Sequence, residues 1–505
     1  MIGITGHGAY VPRQRLSRAA VVAAHAWYAP HLAAKAGGTR AMAHWDEDSI
    51  TMAVAAARDA LCGSLGALHD RSAIHSVVLA SSTLPFAERL NAGVVAEALT
   101  LAPQVQAQDV TGSQRAALSA LSAALDRAAA RAGAGLTGHG LVLAADNRQA
   151  QPASTQELDY GDGAAALLVG HEGVIAEHLA TATTSVDFVD HFRQTGEAID
   201  YHWEERWVRD EGITKLVPPC VAAALAQAGV AAEQVDHFIF PSTFAKIDQQ
   251  LAKALGIRAE AVVDALASGV GDTGVAHGLL LLSGVLERAR PGQIVVLVMF
   301  GSGVQTLVLR TTALVTQFRP RLGLAQWLAR GVDETQYTKF LWFKQLLALE
   351  RGVRGEQDRK TALSTAWRHH QALLGLVAGR CGVTGDVHFP PTRLSYQPGS
   401  PQLDTQQPYP LAERRAKVLS WSAEYLTFHR APPNCYGQVD FDGGGRILMS
   451  FTDVVPGDID AGTKVEMVFR IKDLDELRGY TRYFWKATPL RGPQMSAATS
   501  DNFEG

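Results

Sequence analysis

The sequence is poor in cysteine, in charge and in long apolar runs, and each shortage excludes something. Its 505 residues hold four cysteines, Cys62, Cys220, Cys381 and Cys435, scattered and without a CxxC pair. That argues against a disulfide-stapled secreted scaffold and predicts a reducing, cytoplasmic setting. Charged residues make up 19% and nearly cancel, 46 basic against 50 acidic, for a formal net charge of −4. A nucleic-acid protein usually carries a basic face, so no nucleic-acid partner is expected. No apolar run reaches the ~18 residues a bilayer span needs, so no membrane partner is expected either. The opening MIGITGHGAYVPRQRL lacks a basic stretch followed by an apolar core, and no signal peptide is expected.

What is abundant is hydrophobic residues, 47% of the chain, enough for a large core in several domains. Residues 46–62 predict a helix opened by acidic residues and a serine, and IHSVVLAS (74–81) a buried strand. Next along the chain come a helix at 92–99, a short strand, a helix after Ser113 and strands at 140–147 and 161–170. Helices alternating with continuous apolar strands predict a layered α/β sheet. The order then recurs: helix 217–230, strand 235–243, the helix DQQLAKAL, a short strand region in AEAVVDAL, a turn into a helix over 271–289 and a strand pair over 292–310. The turn and helix at Ser113 correspond to those at Asp272. Two pseudo-symmetric halves are expected, with both helix starts aimed at one crevice. Residues 316–380 read as a helical connecting arm. From about 384 onward, short strands with glycine and proline turns predict a small β-barrel of OB type.

GAYVPRQRL, DEDSITMA, YGDGAAALLVG and the turn-helix at 111–130 resemble the 3-hydroxy-3-methylglutaryl-CoA synthase branch of the thiolase superfamily, over about residues 1–312. GRCGVTGDVHFPPTRLSYQPGS and the barrel after it resemble the zinc-ribbon plus OB-fold accessory proteins of thiolase-like enzymes, over about 365–490. The resemblance implies a duplicated five-layered thiolase fold with a C-terminal OB barrel. It also implies a homodimer and carbon–carbon bond chemistry on an acyl-CoA thioester, with coenzyme A as substrate or acyl carrier. The expected domains are 1–170 and 171–315 for the two halves, 316–380 for the arm, 381–490 for a degenerate zinc ribbon with the barrel, and 491–505 for a flexible tail.

The family's cysteine nucleophile falls at Ser113, its glutamate near Ser82 and its histidine near Pro241, while Lys246 matches its CoA-side lysine. A helix N-terminus lowers a thiol pKa from about 8.5 into the range of roughly 3.5–7.5. A serine hydroxyl needs a general base instead. Aldol-type cleavage of a β-hydroxyacyl-CoA, which needs no covalent nucleophile, is therefore favoured, with Claisen chemistry on a β-keto-acyl-CoA still open. The alternative is a catalytically silent acyl-CoA-binding scaffold. Candidate bases are Asp272 and His277 in GVGDTGVAHG and His191 in VDFVDHFR. Asp272 reads equally as a helix N-cap, His277 as a packed core histidine and His191 as part of a solvated loop. Tyr160 is a candidate acid or a core tyrosine. Gly301 and Gly303, in FGSGV, are expected to offer backbone N–H groups to an oxyanion. Arg209 and Lys215 are candidates to meet the CoA phosphates or belong to a charged surface. In the ribbon stretch Cys381 is the one cysteine, with Val383, Ser395 and Ser400 where further thiols are expected, so no metal is expected.

Overall fold

The computed structural model describes residues 1–62, 71–352, 362–455 and 457–491. The main sheet contains β1 (Gly3–Tyr10), β2 (Ile74–Ala80), β3 (Gln106–Val110), β4 (His139–Asp146), β5 (Gly163–Gly170), β6 (Ala176–Ser185), β7 (Val235–Ile239), β8 (Ile294–Phe300) and β9 (Gly303–Thr311). Their spatial order is β7-β8-β9-β6-β1-β5-β4-β2-β3. The duplication is explicit in the pairing. β2 runs parallel to β4, β4 antiparallel to β5, and β5 antiparallel to β1. In the second half β7 runs parallel to β8, β8 antiparallel to β9, and β9 antiparallel to β6. The halves join where Gly3 and Ile4 pair with Glu177 and Ala176. The expected strand in AEAVVDAL, counterpart of β3, shrinks to a 3-10 turn and a single bridge, Phe238 to Val262.

Six helices accompany the sheet: α1 (Ser49–Leu61), α2 (Asn91–Ala98), α3 (Ala116–Gly133), α4 (Thr214–Ala228), α5 (Ile247–Leu255) and α6 (His277–Leu286). α1 begins where Asp48 accepts from Thr51 N at 2.9 Å and Thr51 Oγ1 accepts from Asp48 N at 2.8 Å, a reciprocal capping box. Strand alternation sorts the side chains into layers. Val77 and Leu79 pack outward against α1 and α2, while Val78 and Ala80 join the central core with α3 and α6. In the second half Val295 and Leu297 face that same central core, whereas Val296 and Val298 face α4 and α5. Helix, sheet, helix pair, sheet and helix give five layers, with α3 and α6 in the middle.

The arm does more than connect. Its residues Val332–Glu334 add a parallel strand to Gln14–Ser17, and Tyr337–Phe343 forms a helix packed on the first half. Val377–Cys381 begins the C-terminal region. There Cys381 Sγ meets Thr384 N at 3.4 Å and Thr405 Oγ1 at 3.1 Å. Thr384, rather than the exposed Val383, is the neighbour that faces the sulfur. Ser395 is buried and bonded to Gln406 at 3.0 Å, and Ser400 is exposed. Among the described residues no group of three or more His, Cys, Asp or Glu side chains is placed to hold a metal, and no helix is long and apolar enough to cross a membrane.

The barrel strands are β10 (Ala416–Glu424), β11 (Asn434–Phe441), β12 (Arg446–Ser450), β13 (Lys464–Asp475) and β14 (Tyr480–Pro489), antiparallel in the order β12-β11-β10-β13-β14. A bridge from Phe451 to Ala487 closes it. It docks on α1, where the buried Arg58 donates to Met467 O at 2.5 Å, pairs with Glu413 at 2.8 Å and lies 5.0 Å from the Trp485 ring. The tail expected over 491–505 lies, from residue 492 on, outside the described residues, as do 353–361 of the arm.

Candidate active site

A cavity of about 440 Å³ opens between the halves, and Gln114, before α3, and Gly274, before α6, both line it. The two helix starts therefore meet one crevice. The turn 159–162 brings them together, because Gly161 N donates to Asp272 O and Asp272 N to Asp159 O, both at 2.8 Å. Among the described residues no barrel residue lines the cavity.

Arg148 is the hub of the polar wall. Its Nη2 lies 2.8 Å from Asp200 Oδ2 and 2.5 Å from the Tyr160 hydroxyl, and its Nη1 lies 3.3 Å from Asp272 Oδ2. Tyr160 Oη is also 2.6 Å from His202 Nε2 and 3.1 Å from Asp200 Oδ2. A phenol has one proton, so it serves either His202 or Asp200 at a time. Burial raises the Tyr160 pKa far beyond its usual value, although Arg148 pulls the other way. Burial, then His191 and Arg148, push His202 down to about 4. Burial alone would lift Asp200, but Arg148, Arg193 and His191 outweigh it and hold the carboxyl below its usual range. At neutral pH the wall thus presents a phenol, a neutral imidazole and a carboxylate around one guanidinium.

His191 stacks on His202 with ring centroids 5.5 Å apart. Its Nδ1 lies 2.8 Å from Asp190 Oδ2, which leaves Nε2 facing Gln114 Nε2 at 3.4 Å. A carboxylate that orients one imidazole nitrogen while the other faces a cavity is the arrangement of a general base. His191, for which the sequence offers a base or part of a solvated loop, lies in the cavity lining.

Other expected residues stand differently. Asp272, expected as a base or a helix cap, accepts from Gly274 N at 3.0 Å and faces Arg148 in the cavity. His277 is 2% exposed and fully occupied, its Nδ1 accepting from Thr273 N at 3.1 Å and its Nε2 donating to Ala265 O at 2.9 Å. It is a packed histidine outside the cavity, because a residue on the first turn of α6 points into the central layer. Ser113 also misses the cavity lining, and its hydroxyl donates to Gly301 O at 2.8 Å. Gly301 offers that carbonyl, while its N–H is spent on Gly303 O at 2.9 Å, so it is not an oxyanion donor here. Gly303 is needed for close packing, since a Cβ there would lie 2.1 Å from Thr184 O, at φ +113°. Ser82 is tied to Asp146, from its N–H at 2.7 Å and its hydroxyl at 2.9 Å. Lys246 is exposed at the start of α5, beside the cavity-lining Ala245. Arg209 lines the cavity and pairs with Asp210 at 2.7 Å, whereas Lys215 pairs with Glu211 at 2.6 Å.

Sequence reasoning missed Arg148, Asp190, Asp200 and His202. For the last three the signal was present in VDHFRQTGEAIDYHW (189–203), where titratable groups crowd into one loop region between two strands. Long loops of that kind tend to be functional. The strand pairs His191–Phe192 and Tyr201–His202 fold it into a hairpin that puts His191 opposite His202.

Comparisons with known proteins agree with this architecture. The family described as 3-oxoacyl-[acyl-carrier-protein] synthase III, C terminal, matches residues 225–310, and the ChsH2 C-terminal OB-fold domain matches residues 396–470. The hydroxymethylglutaryl-CoA synthase of Aeropyrum pernix is 31% identical over 303 residues, covering 60% of this chain and 82% of its own length. That of Methanopyrus kandleri is 28% identical over 306 residues, covering 60% and 85%. Two solved structures share the fold. MvaS in complex with 3-hydroxy-3-methylglutaryl coenzyme A has a TM-score of 0.57 at 19% identity, over 72% of this chain and 94% of that one. The 3-oxoacyl-(acyl carrier protein) synthase III of Pseudomonas aeruginosa has a TM-score of 0.53 at 24% identity, over 62% and 98%. With its duplicated thiolase-like halves and its C-terminal OB-fold domain, the chain belongs to the hydroxymethylglutaryl-CoA synthase family of thiolase-like acyl-CoA condensing enzymes.

Proposed function

We propose that this protein makes or breaks a carbon–carbon bond beside an acyl-CoA thioester without forming an acyl-enzyme, in the aldol sense. The observation that carries the reading is the exchange of roles around the cavity. Ser113 gives its hydroxyl to Gly301 O, while Tyr160, His202 and the Asp190–His191 pair meet at the polar wall. In the cleavage direction His191 Nε2 takes the proton of a β-hydroxyl. The Cα–Cβ bond breaks, a ketone or aldehyde leaves, and the electron pair passes to the thioester as an enolate. The Tyr160 hydroxyl, polarised by the Arg148 guanidinium, is the donor assigned to the enolate oxygen. Tyr160 then protonates the α-carbon, His191 releases the proton it took to water, and Tyr160 regains one from water by way of His202. The enzyme works as a cytoplasmic homodimer on coenzyme A esters, with no metal.

The other wall supports an apolar acyl group. Phe240, Phe244, Met299, Phe300 and Trp203 line it. The cavity-lining cations are already paired, Lys35 with Asp159 at 2.5 Å, Arg148 with Asp200 at 2.8 Å and Arg209 with Asp210 at 2.7 Å. An uncharged chain end suits that lining better than a carboxylate.

The test is a panel of β-hydroxyacyl- and β-ketoacyl-CoAs, followed for a carbonyl product, a shortened acyl-CoA and deuterium uptake at its α-carbon in heavy water. The expected result is turnover of β-hydroxyacyl esters with apolar chains. Replacement of the three family side chains at Ser113, Ser82 and Pro241 favours the second reading, a silent acyl-CoA-binding scaffold. Tight binding of the esters with no turnover would decide for it.

A further inference from the structure

We propose that Lys344, at the end of the arm helix Tyr337–Phe343, is a positioning residue that sets Arg148 in the cavity. The inference rests on the reading of Arg148 as part of the reacting wall. Lys344 does not line the cavity. Its side chain is 4% exposed, and its ammonium lies 2.7 Å from Asp162 Oδ1. It also donates to Arg148 O at 3.1 Å and to Asn147 Oδ1. An ammonium has three donors, and here three acceptors meet them. The backbone of the same residue accepts from Gln149 Nε2 at 2.9 Å.

The three residues 147–149 are thus held by one residue of the arm. They need such a tie, because β4 ends at Asp146 and its ladder no longer fixes the chain. The hold extends to two of the three partners of the guanidinium, Asp200 and Tyr160. Gln149 bridges to Ile199, the neighbour of Asp200. Asp162 follows Tyr160 by two residues, and its second oxygen accepts from Ala43 N at 2.8 Å. Lys344 therefore joins the segment bearing Arg148 to the turn bearing Tyr160, through backbone and carboxylate, without touching the substrate space. This gives the arm a task beyond linking two folds.

The test uses the full chain. Lys344→Met alone strands a buried carboxylate, so the informative variant combines Lys344→Met with Asp162→Asn. The control combines Lys486→Met with Asp46→Asn, a buried pair of the same 2.7 Å length at the barrel contact. Two readouts are taken: the Arg148 Nε–H resonance, ring-shifted by Tyr160 and slow to exchange, and the split between kcat and KM. We expect the first variant to lose the ring shift and the exchange protection. A small misplacement of a reacting group costs up to about 10²-fold, so kcat is expected to fall on that scale with KM nearly unchanged. The control is expected to lower Tm and keep both readouts. A first variant that melts earlier but keeps the Arg148 resonance and kcat would overturn the proposal. If the wild type turns over no ester, the functional reading fails, and the resonance alone still decides the role of Lys344.

Discussion

The Arg148 guanidinium lies over the Tyr160 ring, its carbon 3.7 Å from the ring centroid, and also donates to the Tyr160 hydroxyl. The contact combines cation–π attraction with a charge-assisted hydrogen bond. It fixes the phenol by its face, so the hydroxyl can be removed without freeing the ring. Tyr160→Phe should therefore fold normally. Loss of an acid–base group typically costs about 10²–10⁴ in rate. We expect a fall of that size in kcat, with KM little changed, in steady-state assays on the best ester of the panel. An unchanged kcat would remove Tyr160 from the chemistry.

Ser113 offers the opposite expectation. Its hydroxyl is engaged with Gly301 O, and no base of the polar wall is bonded to it. Ser113→Ala should leave turnover within a few-fold of wild type. Ser113→Cys should accumulate no acyl adduct under intact-mass analysis, because no base of the polar wall is bonded to that position. A stable adduct on the serine of the wild type would reverse the proposed mechanism.

The two histidines expected as bases separate cleanly. His191→Gln should lower kcat and leave Tm nearly unchanged. His277→Ala should do the reverse, since it strips a partner from the buried Thr273 N and Ala265 O. Orphaned buried groups cost about 1–3 kcal/mol, which calorimetry resolves.

His202 also marks a pH window. Burial first, then His191, hold its folded pKa at about 4, below the ordinary 6.5. Between those values the unfolded chain binds a proton that the folded chain refuses. The contribution of His202 is therefore fully present above 6.5 and is lost as pH falls towards 4. A His202→Asn variant should lose less stability than wild type between pH 6.5 and 4.5. Equal losses in paired melts would show that His202 charges freely in the fold.

The barrel contact is electrostatic as well as apolar. Lys486 lies 2.7 Å from Asp46 and 4.4 Å from the Trp45 ring centroid, deep in the seam with the first half. Removing one partner of a buried pair typically costs roughly 3–5 kcal/mol. Lys486→Met should reach the lower part of that range, because His44 and Thr452 still bond Asp46, at 2.6 and 2.9 Å. The double variant with Asp46→Asn should recover part of the loss in denaturant melts.

Strand and helix order was legible because apolar period and punctuation are local. The acidic residues and serine that open α1, the apolar run IHSVVLAS and the repeat of the whole pattern after residue 217 can be read along the chain. Asp272 and Tyr160 could be named as candidates because the duplication and the turn YGDG place them at strand and helix ends. For His277 the sequence left a base and a packed histidine both open, because nothing local says whether a side chain near a helix start faces a cavity or the layer behind it.

By itself the sequence determined the duplicated layers and the β-rich C-terminal region. Each is a matter of residue type and spacing. Only the tertiary structure decided which groups meet. Arg148 and Tyr160 of the first half, the hairpin carrying His191 and His202, and Asp272 of the second half lie up to 124 residues apart in sequence, yet hydrogen bonds bring them onto one wall. Such partners are chosen by the packing of elements distant in the chain, and a pattern read over one or two turns holds no record of that choice.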